Sequence, residues 1–180
     1  MRWYWIDRFV EFQSRKLAVA VKNVTMAEEH MHDLYPAFPV MPASIIVEGM
    51  AQTAGMLVGE ARNFEEKVIL AKITRATFHR LVRPGDTVVY RATVEQMSDA
   101  GASIAGSVVV RSYDRRKPAV GQADVIPHAF CDHPVADIEL MFSHIDQNLA
   151  GLEFPEHNFV FTREFTDLLN AFRMQTNVSL

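Results

Sequence analysis

The sequence predicts an α+β domain in which one long apolar helix is wrapped by antiparallel strands, and three observations carry that expectation. Residues 43–59 are almost wholly apolar, contain no proline after Pro42 and run too long for a strand, which is the pattern of a helix of about four turns. Ile45, Ile46, Val47, Met50, Met56, Leu57 and Val58 leave no polar face wide enough for solvent, as in a central helix covered by other elements. Downstream, β-branched residues alternate over 87–96 and 102–112, joined by the turn signal Ser98-Asp-Ala-Gly101, which reads as a hairpin.

The remaining elements follow in chain order. Residues 1–8 carry a charge too early in their apolar stretch for a signal peptide, so a mature start is expected. Residues 3–12 mix aromatics with Ile6, Phe9, Val10 and Phe12 and fit either a short helix or a strand. Residues 16–25 alternate in part and are the first expected strand. The polar, histidine-rich stretch 28–34 and the proline-punctuated loop 35–42 form the expected rim of a site. After the helix, 67–74 and 76–81 read as two strands and Arg83-Pro-Gly-Asp86 as a turn. Residues 113–134 are expected to be an insertion or an extended strand pair, 137–144 the closing strand, and 145–161 irregular. In the tail, Thr162 is an expected N-cap, and Phe165, Leu168, Leu169 and Phe172 fall at the spacing of a short amphipathic helix.

Composition narrows the function classes. With 49% apolar and 22% charged residues in 180, one domain with a sizeable core is expected. A formal net charge of −4 gives no basic stripe for a nucleic-acid partner. A single cysteine, Cys131, excludes an intrachain disulfide and fits a reducing compartment, so the cytoplasm is expected. The apolar run is broken by Glu48 and Gln52 and falls short of the roughly 20 residues a bilayer demands. No glycine-rich phosphate loop occurs.

Ser44, Glu48 and Gln52 recur every fourth residue and share one helix face. A carboxylate on a helix expected to be buried is costly unless it is paired or used, and desolvation raises its pKa toward the range of general acid–base work. Glu48 is therefore either a catalytic group or a structural carboxylate tied to an amide or an arginine. The entry Pro39-Val-Met-Pro42 is extended and aims the helix N-terminus, whose open N–H groups suit an oxygen developing negative charge. His30 and His32 are two apart and share a side if that stretch is extended, but no further ligand pair supports a metal, and none is expected. His79 is expected at the surface or an interface, and His128, His133, His144 and His157 in solvated or hydrogen-bonded roles.

The string YPAFPVMPA at residues 35–43, followed by IVEGMAQ at 46–52, resembles the signature HFPGxPVMPGVLxxEAMAQ of the FabZ-type beta-hydroxyacyl-[acyl carrier protein] dehydratases. IDRFV at 6–10, KNVT at 22–25 with Glu28, and FHRLVRPGD at 78–86 resemble further segments of that family in the same order, and 136–144 resembles its last strand. The resemblance implies an α+β hotdog fold, a curved antiparallel sheet wrapped around the long helix. Residues 1–150 would form the hotdog domain with its insertion at about 113–134, and 151–180 a C-terminal extension. It further implies a homodimer, or a higher oligomer, with acyl tunnels at the interface and no cofactor. The partner would be acyl carrier protein bearing a phosphopantetheine-linked acyl chain, docked on Arg75, Arg80 and Arg83. The tunnel would be lined by Leu34, Tyr35, Ala37 and Phe38 with Pro39, Val40, Met41 and Gln52.

One position departs from the family pattern. The motif's histidine stands fourteen residues before the helix glutamate, and here that position holds Leu34, which cannot move a proton. On an extended segment His32, two residues upstream, points the same way and is the expected replacement beside Glu48, with His30 behind it. Three functions remain open: dehydration of beta-hydroxyacyl chains to trans-2-enoyl products in fatty-acid or related lipid synthesis, a non-catalytic hotdog protein that binds carrier protein or acyl chains, and a hotdog thioesterase.

Overall fold

The computed structural model describes residues 3–113, 130–145 and 160–177. In chain order its elements are β1 (Arg8–Gln13), β2 (Leu17–Asn23), α1 (His30–Asp33), α2 (Ala43–Glu60), β3 (Val68–Phe78), β4 (Thr87–Met97), β5 (Gly101–Tyr113), β6 (Phe130–His144) and α3 (Arg163–Asn177). Among the described residues the strands form one sheet in the order β1-β2-β4-β5-β6-β3, every neighbouring pair antiparallel. This is the α+β hotdog arrangement, with α2 against the concave face of the sheet.

Burial of α2 follows from its side chains. Met50, Ala54, Leu57 and Val58 are fully buried, packed in one core with Tyr90 and Val88 of β4, Ile104 and Val108 of β5, and Ile138 and Leu140 of β6. Two glycines permit the close approach. A Cβ on Gly49 would run into the ring of Tyr90, and one on Gly106 would sit 2.7 Å from the sulfur of Met50, so helix and strands meet backbone to side chain. The turn before β4 needs Gly85 at φ +94, in the left-handed region that L side chains avoid. There Arg83 N–H donates to Asp86 Oδ2 and Gly85 N–H donates to the carbonyl of Val24, which ties the turn to β2.

Several expectations are revised. Of residues 3–12, which fit either a helix or a strand, 8–12 belong to strand β1 and 3–7 are irregular. The two strands expected at 67–74 and 76–81 are one continuous strand, β3, whose register slips between Leu70 and Lys72 and between Ile73 and Arg75. Two bulges break the period-2 pattern, so the stretch reads as two shorter pieces in sequence. The closing strand begins at Phe130 rather than residue 137 and pairs with β5 up to Tyr113, so the ends of the 113–134 stretch are a strand pair. The rest of that stretch, 114–129, and 146–159 of the expected irregular segment lie outside the described residues. Residues 28–34 are not extended, because His30–Asp33 form the helical turn α1.

Strand β3 is an open sheet edge, with residues 71–78 exposed and Ile73 and Phe78 outermost. Helix α3 docks its apolar stripe as expected, with Leu169 fully buried and Phe165, Leu168 and Phe172 against the core. No helix among the described residues is long and apolar enough to cross a membrane. Because Leu169 is closed in on all sides, Leu169→Ala is expected to lower unfolding free energy by about 2–5 kcal/mol in denaturant titration, through lost transfer energy and the cavity left behind. An unchanged transition midpoint would show α3 to be loosely held.

Candidate functional site

The polar face of α2 is where the helix escapes the sheet. Ser44 and Glu48 are exposed and Gln52 half-buried, so the three share one stripe as the spacing predicts. Glu48 is not buried in the single chain, which corrects the expectation of a desolvated carboxylate: the sheet covers the other faces, and this one borders a cavity shared with Trp3 and Phe161. Gln52 fixes the N-terminal segment there. Its Oε1 accepts from Trp5 N–H at 2.8 Å, while its Nε2 donates to the Trp3 carbonyl at 2.6 Å and to Glu48 Oε1 at 3.0 Å. These bonds fix the amide's orientation, and Glu48 and Gln52 both line a cavity of about 340 Å³. The cavity runs down α2 past Ala51, Gly55 and Met56 and is otherwise apolar, walled by Leu70, Phe142 and Phe165. Pro42 caps α2 without a side-chain hydrogen bond, and since the Ile45 N–H donates to the Pro42 carbonyl at 3.0 Å, the N–H groups of Ala43 and Ser44 are those left to a ligand oxygen.

A second cavity, of about 770 Å³, lies at the N-terminal end of the helix, bounded by Ile45, Leu34 and Trp5. It holds a polar cluster. Lys22 Nζ lies 2.6 Å from Glu28 Oε1 and 3.3 Å from Asp7 Oδ1, and His30 Nε2 faces Glu28 Oε2 at 3.4 Å without the alignment of a hydrogen bond. The His30 ring is covered by Trp5, edge to face at 5.4 Å. Burial lowers its pKa below the ordinary imidazole value, against the opposing pull of the Glu28 carboxylate. Beneath the helix, burial pushes the Tyr90 hydroxyl far above its usual value, and that oxygen has no hydrogen-bond partner among the described residues. Sequence reasoning missed this cluster. Asp7, Lys22 and Glu28 were visible only as parts of family-like segments, and Tyr90 as one aromatic in an alternating strand.

The helical turn α1 overturns the extended-chain argument for His32. Residues two apart on a helix point to nearly opposite sides, whereas four apart share a face. His30 and Leu34 accordingly line the same cavity, and His32 is exposed on the other side. His32 Nε2 lies 2.5 Å from the Met26 carbonyl. A carbonyl only accepts, so Nε2 carries the proton and Nδ1 of the neutral ring is a lone-pair base.

The expected tunnel residues divide. Val40 and Met41 are buried, Met41 in the core with its N–H donating to Val82 at 2.9 Å, so they anchor the loop rather than line a cavity. Pro39 is half-buried, while Tyr35, Ala37 and Phe38 are at the surface. Leu34 lines the larger cavity and Gln52 the smaller. Arg83 lies 4.7 Å above the Phe38 ring, Arg80 is exposed, and Arg75 is paired with Glu139 at 2.5 Å. Among the remaining histidines, His79 pairs with Asp137 at the surface and His144 is buried against Glu66. His128 and His157 lie outside the described residues. Among the described residues no group of three or more His, Cys, Asp or Glu is placed to hold a metal ion.

Residues 3–117, more than half of the chain, match the family described as FabA, FabA-like domain. The 3-hydroxyacyl-[acyl-carrier-protein] dehydratase FabZ of Koribacter versatilis is 36% identical over 107 residues, covering 58% of this chain and 69% of that protein. FabZ of Roseobacter denitrificans is 43% identical over 89 residues, covering 48% and 59%. Against the bifunctional enzyme LpxC/FabZ of Chlorobaculum tepidum, identity is 38% over 112 residues, 58% of this chain and 24% of that protein. The chain thus spans from about a quarter to about two thirds of the curated relatives it matches. A thioesterase family protein from Silicibacter pomeroyi superposes with a TM-score of 0.55 at 10% identity, over 76% of this chain and 82% of that one. At that identity the likeness is one of fold.

Because burial dominates at His30, its ring is expected to titrate below 6.5 in a proton NMR titration. Below 6.5 the unfolded chain binds the proton more readily than the folded one, so this group makes stability fall as pH drops from there through the folded pKa. A His30 midpoint at or above 6.5 would mean that Glu28 outweighs burial.

Proposed function

Given that the chain belongs to the FabA-like domain family, with FabZ dehydratases among its relatives, we propose that it dehydrates beta-hydroxyacyl chains on acyl carrier protein to trans-2-enoyl products, in fatty-acid or related lipid synthesis. The observation that carries this reading is Glu48, hydrogen-bonded to Gln52 at the open end of an apolar cavity, one turn below an uncapped helix N-terminus. Elimination requires a base for the α proton, an acid for the β-hydroxyl, and donors for the thioester oxygen as it gains enolate character. The open N–H groups of α2 suit the last. His32 Nδ1 takes the α proton, the electron pair forms the C2–C3 double bond, and the β-hydroxyl leaves as water on receiving a proton from Glu48 in its carboxylic form.

The two proton carriers come from different subunits of a homodimer. Both Glu48 and His32 are exposed in the single chain, as groups completing a site with a second copy would be, whereas His30 is walled in by Trp5 and Glu28. The open edge of β3 supports such a dimer, since an unpaired strand presents its N–H and C=O groups to another chain.

Glu48→Gln and His32→Ala are each expected to lower turnover of a 3-hydroxyacyl thioester by a factor of about 10² or more without loss of folding. Mixing the two inactive variants restores activity if the pair spans the interface, because each heterodimer holds one intact site. Failure to recover would place both groups in one subunit, and full activity of His32→Ala would remove His32 from the mechanism.

A second reading rests on Leu34 at the family's histidine position: a hotdog protein that binds carrier protein without turnover. Following enoyl hydration and thiol release in parallel separates the dehydratase, the thioesterase and the inert binder. In either binding reading the acidic carrier docks on Arg80 and Arg83, with Arg75 at the edge. Carrier affinity is therefore expected to fall as ionic strength rises from low to physiological, and salt-insensitive binding would exclude charge pairing as the docking force.

A further inference from the structure

We infer that the C-terminal segment, through Phe161 and Phe165, closes the cavity beside Glu48 and sets the longest acyl chain it accepts. This rests on the reading of that cavity as the acyl site, and it assigns a role to residues beyond the family-matched span of 3–117. Glu48, Gln52, Gly55 and Met56 recur along one stripe of α2 and form one wall. From Glu48 to Met56 the wall extends about 12 Å at the helical rise of 1.5 Å per residue.

The next turn is blocked. The Phe161 ring lies directly against Gly59, filling the place a side chain would take there. Phe161 is itself held edge to face by Phe64 at 5.1 Å, and the backbone of Phe64 has φ 59, in the left-handed region that a bulky residue occupies only when its surroundings impose it. Phe165 forms the side wall and is fixed by the Tyr4 ring at 4.7 Å, while the Tyr4 hydroxyl lies 3.2 Å from Thr162 Oγ1. Both chain termini thus converge on the cavity. With bonds of about 1.5 Å and angles near 111°, an extended alkyl chain advances about 1.25 Å per bond, so about nine or ten bonds fit between Glu48 and the Phe161 floor.

Saturated acyl thioesters of N-acetylcysteamine, which carry no hydroxyl to eliminate, test the limit without turnover. Binding is read for a homologous series by displacement of a fluorescent fatty acid. With the intact protein, affinity is expected to rise roughly fourfold per methylene up to a chain of about ten carbons and then to fall. Phe161→Ala opens the space beside Gly59 and moves the break to longer chains by about two carbons or more. Should that variant fail to fold, Gly55→Ala provides the opposite shift. Its added methyl would lie 3.5 Å from Phe142, an ordinary contact, and would narrow the cavity, so the break moves to shorter chains. A break that stays in place in the folded variants, an affinity that climbs without a break, or no binding of any chain would overturn the inference. Turnover with an unmoved break sinks this inference alone, and a movable break without turnover sinks only the proposed activity.

Discussion

The structure depends on burying a helix that is apolar nearly all round within the curve of a single sheet. Met50, Ala54, Leu57 and Val58 have no exposed surface left, and each large side chain so buried contributes roughly 1.5–3 kcal/mol before the entropy of ordering it. That contribution is available only if backbone and side chains approach closely, which Gly49 under Tyr90 and Gly106 over Met50 allow. The packing also costs something. The Tyr90 hydroxyl is enclosed without a hydrogen-bond partner among the described residues, an arrangement tolerable only where surrounding apolar contact outweighs it.

Because the sheet covers most of α2, whatever it leaves uncovered is displayed. The uncovered stripe carries Ser44, Glu48 and Gln52, and the chain's two ends are drawn to it. Gln52 receives the backbone of Trp3 and Trp5, while Tyr4 and Trp5 turn toward the larger cavity and Phe161 and Phe165 toward the smaller. One side chain thus both orients the carboxylate and fastens the segment that separates two cavities. The exposed carboxylate that Gln52 orients is the one the proposed chemistry uses.

The second polar concentration is of another kind. Asp7, Lys22, Glu28 and His30 are brought together from β1's approach, β2 and α1, and pair largely with one another. Such a cluster holds the loop before α2 in one position, since removing Lys22 leaves the partly buried Glu28 without its counter-charge. It also explains why Leu34 and His30, four residues apart, face one cavity while His32 faces out.

The sequence by itself determined the long helix, its start after Pro42, the hairpin of β4 and β5, the stripe of Glu48 and Gln52, and the amphipathic α3. All of these are written in local periodicity and turn chemistry, which act over a few residues. The resemblance carried by PVMPA and VEGMAQ extended that to the hotdog arrangement. Only the tertiary structure decided the exposure of Glu48, because exposure depends on which helix face the sheet leaves open and not on the apolar content around it. Likewise it decided that 28–34 coils into a helical turn rather than extending, which reverses the relation of His32 to Leu34. The convergence of Trp3, Phe161 and Phe165 over one cavity joins residues more than 150 positions apart. No periodicity reaches that far, and contact at such separation exists only once the core has set where both ends of the chain emerge.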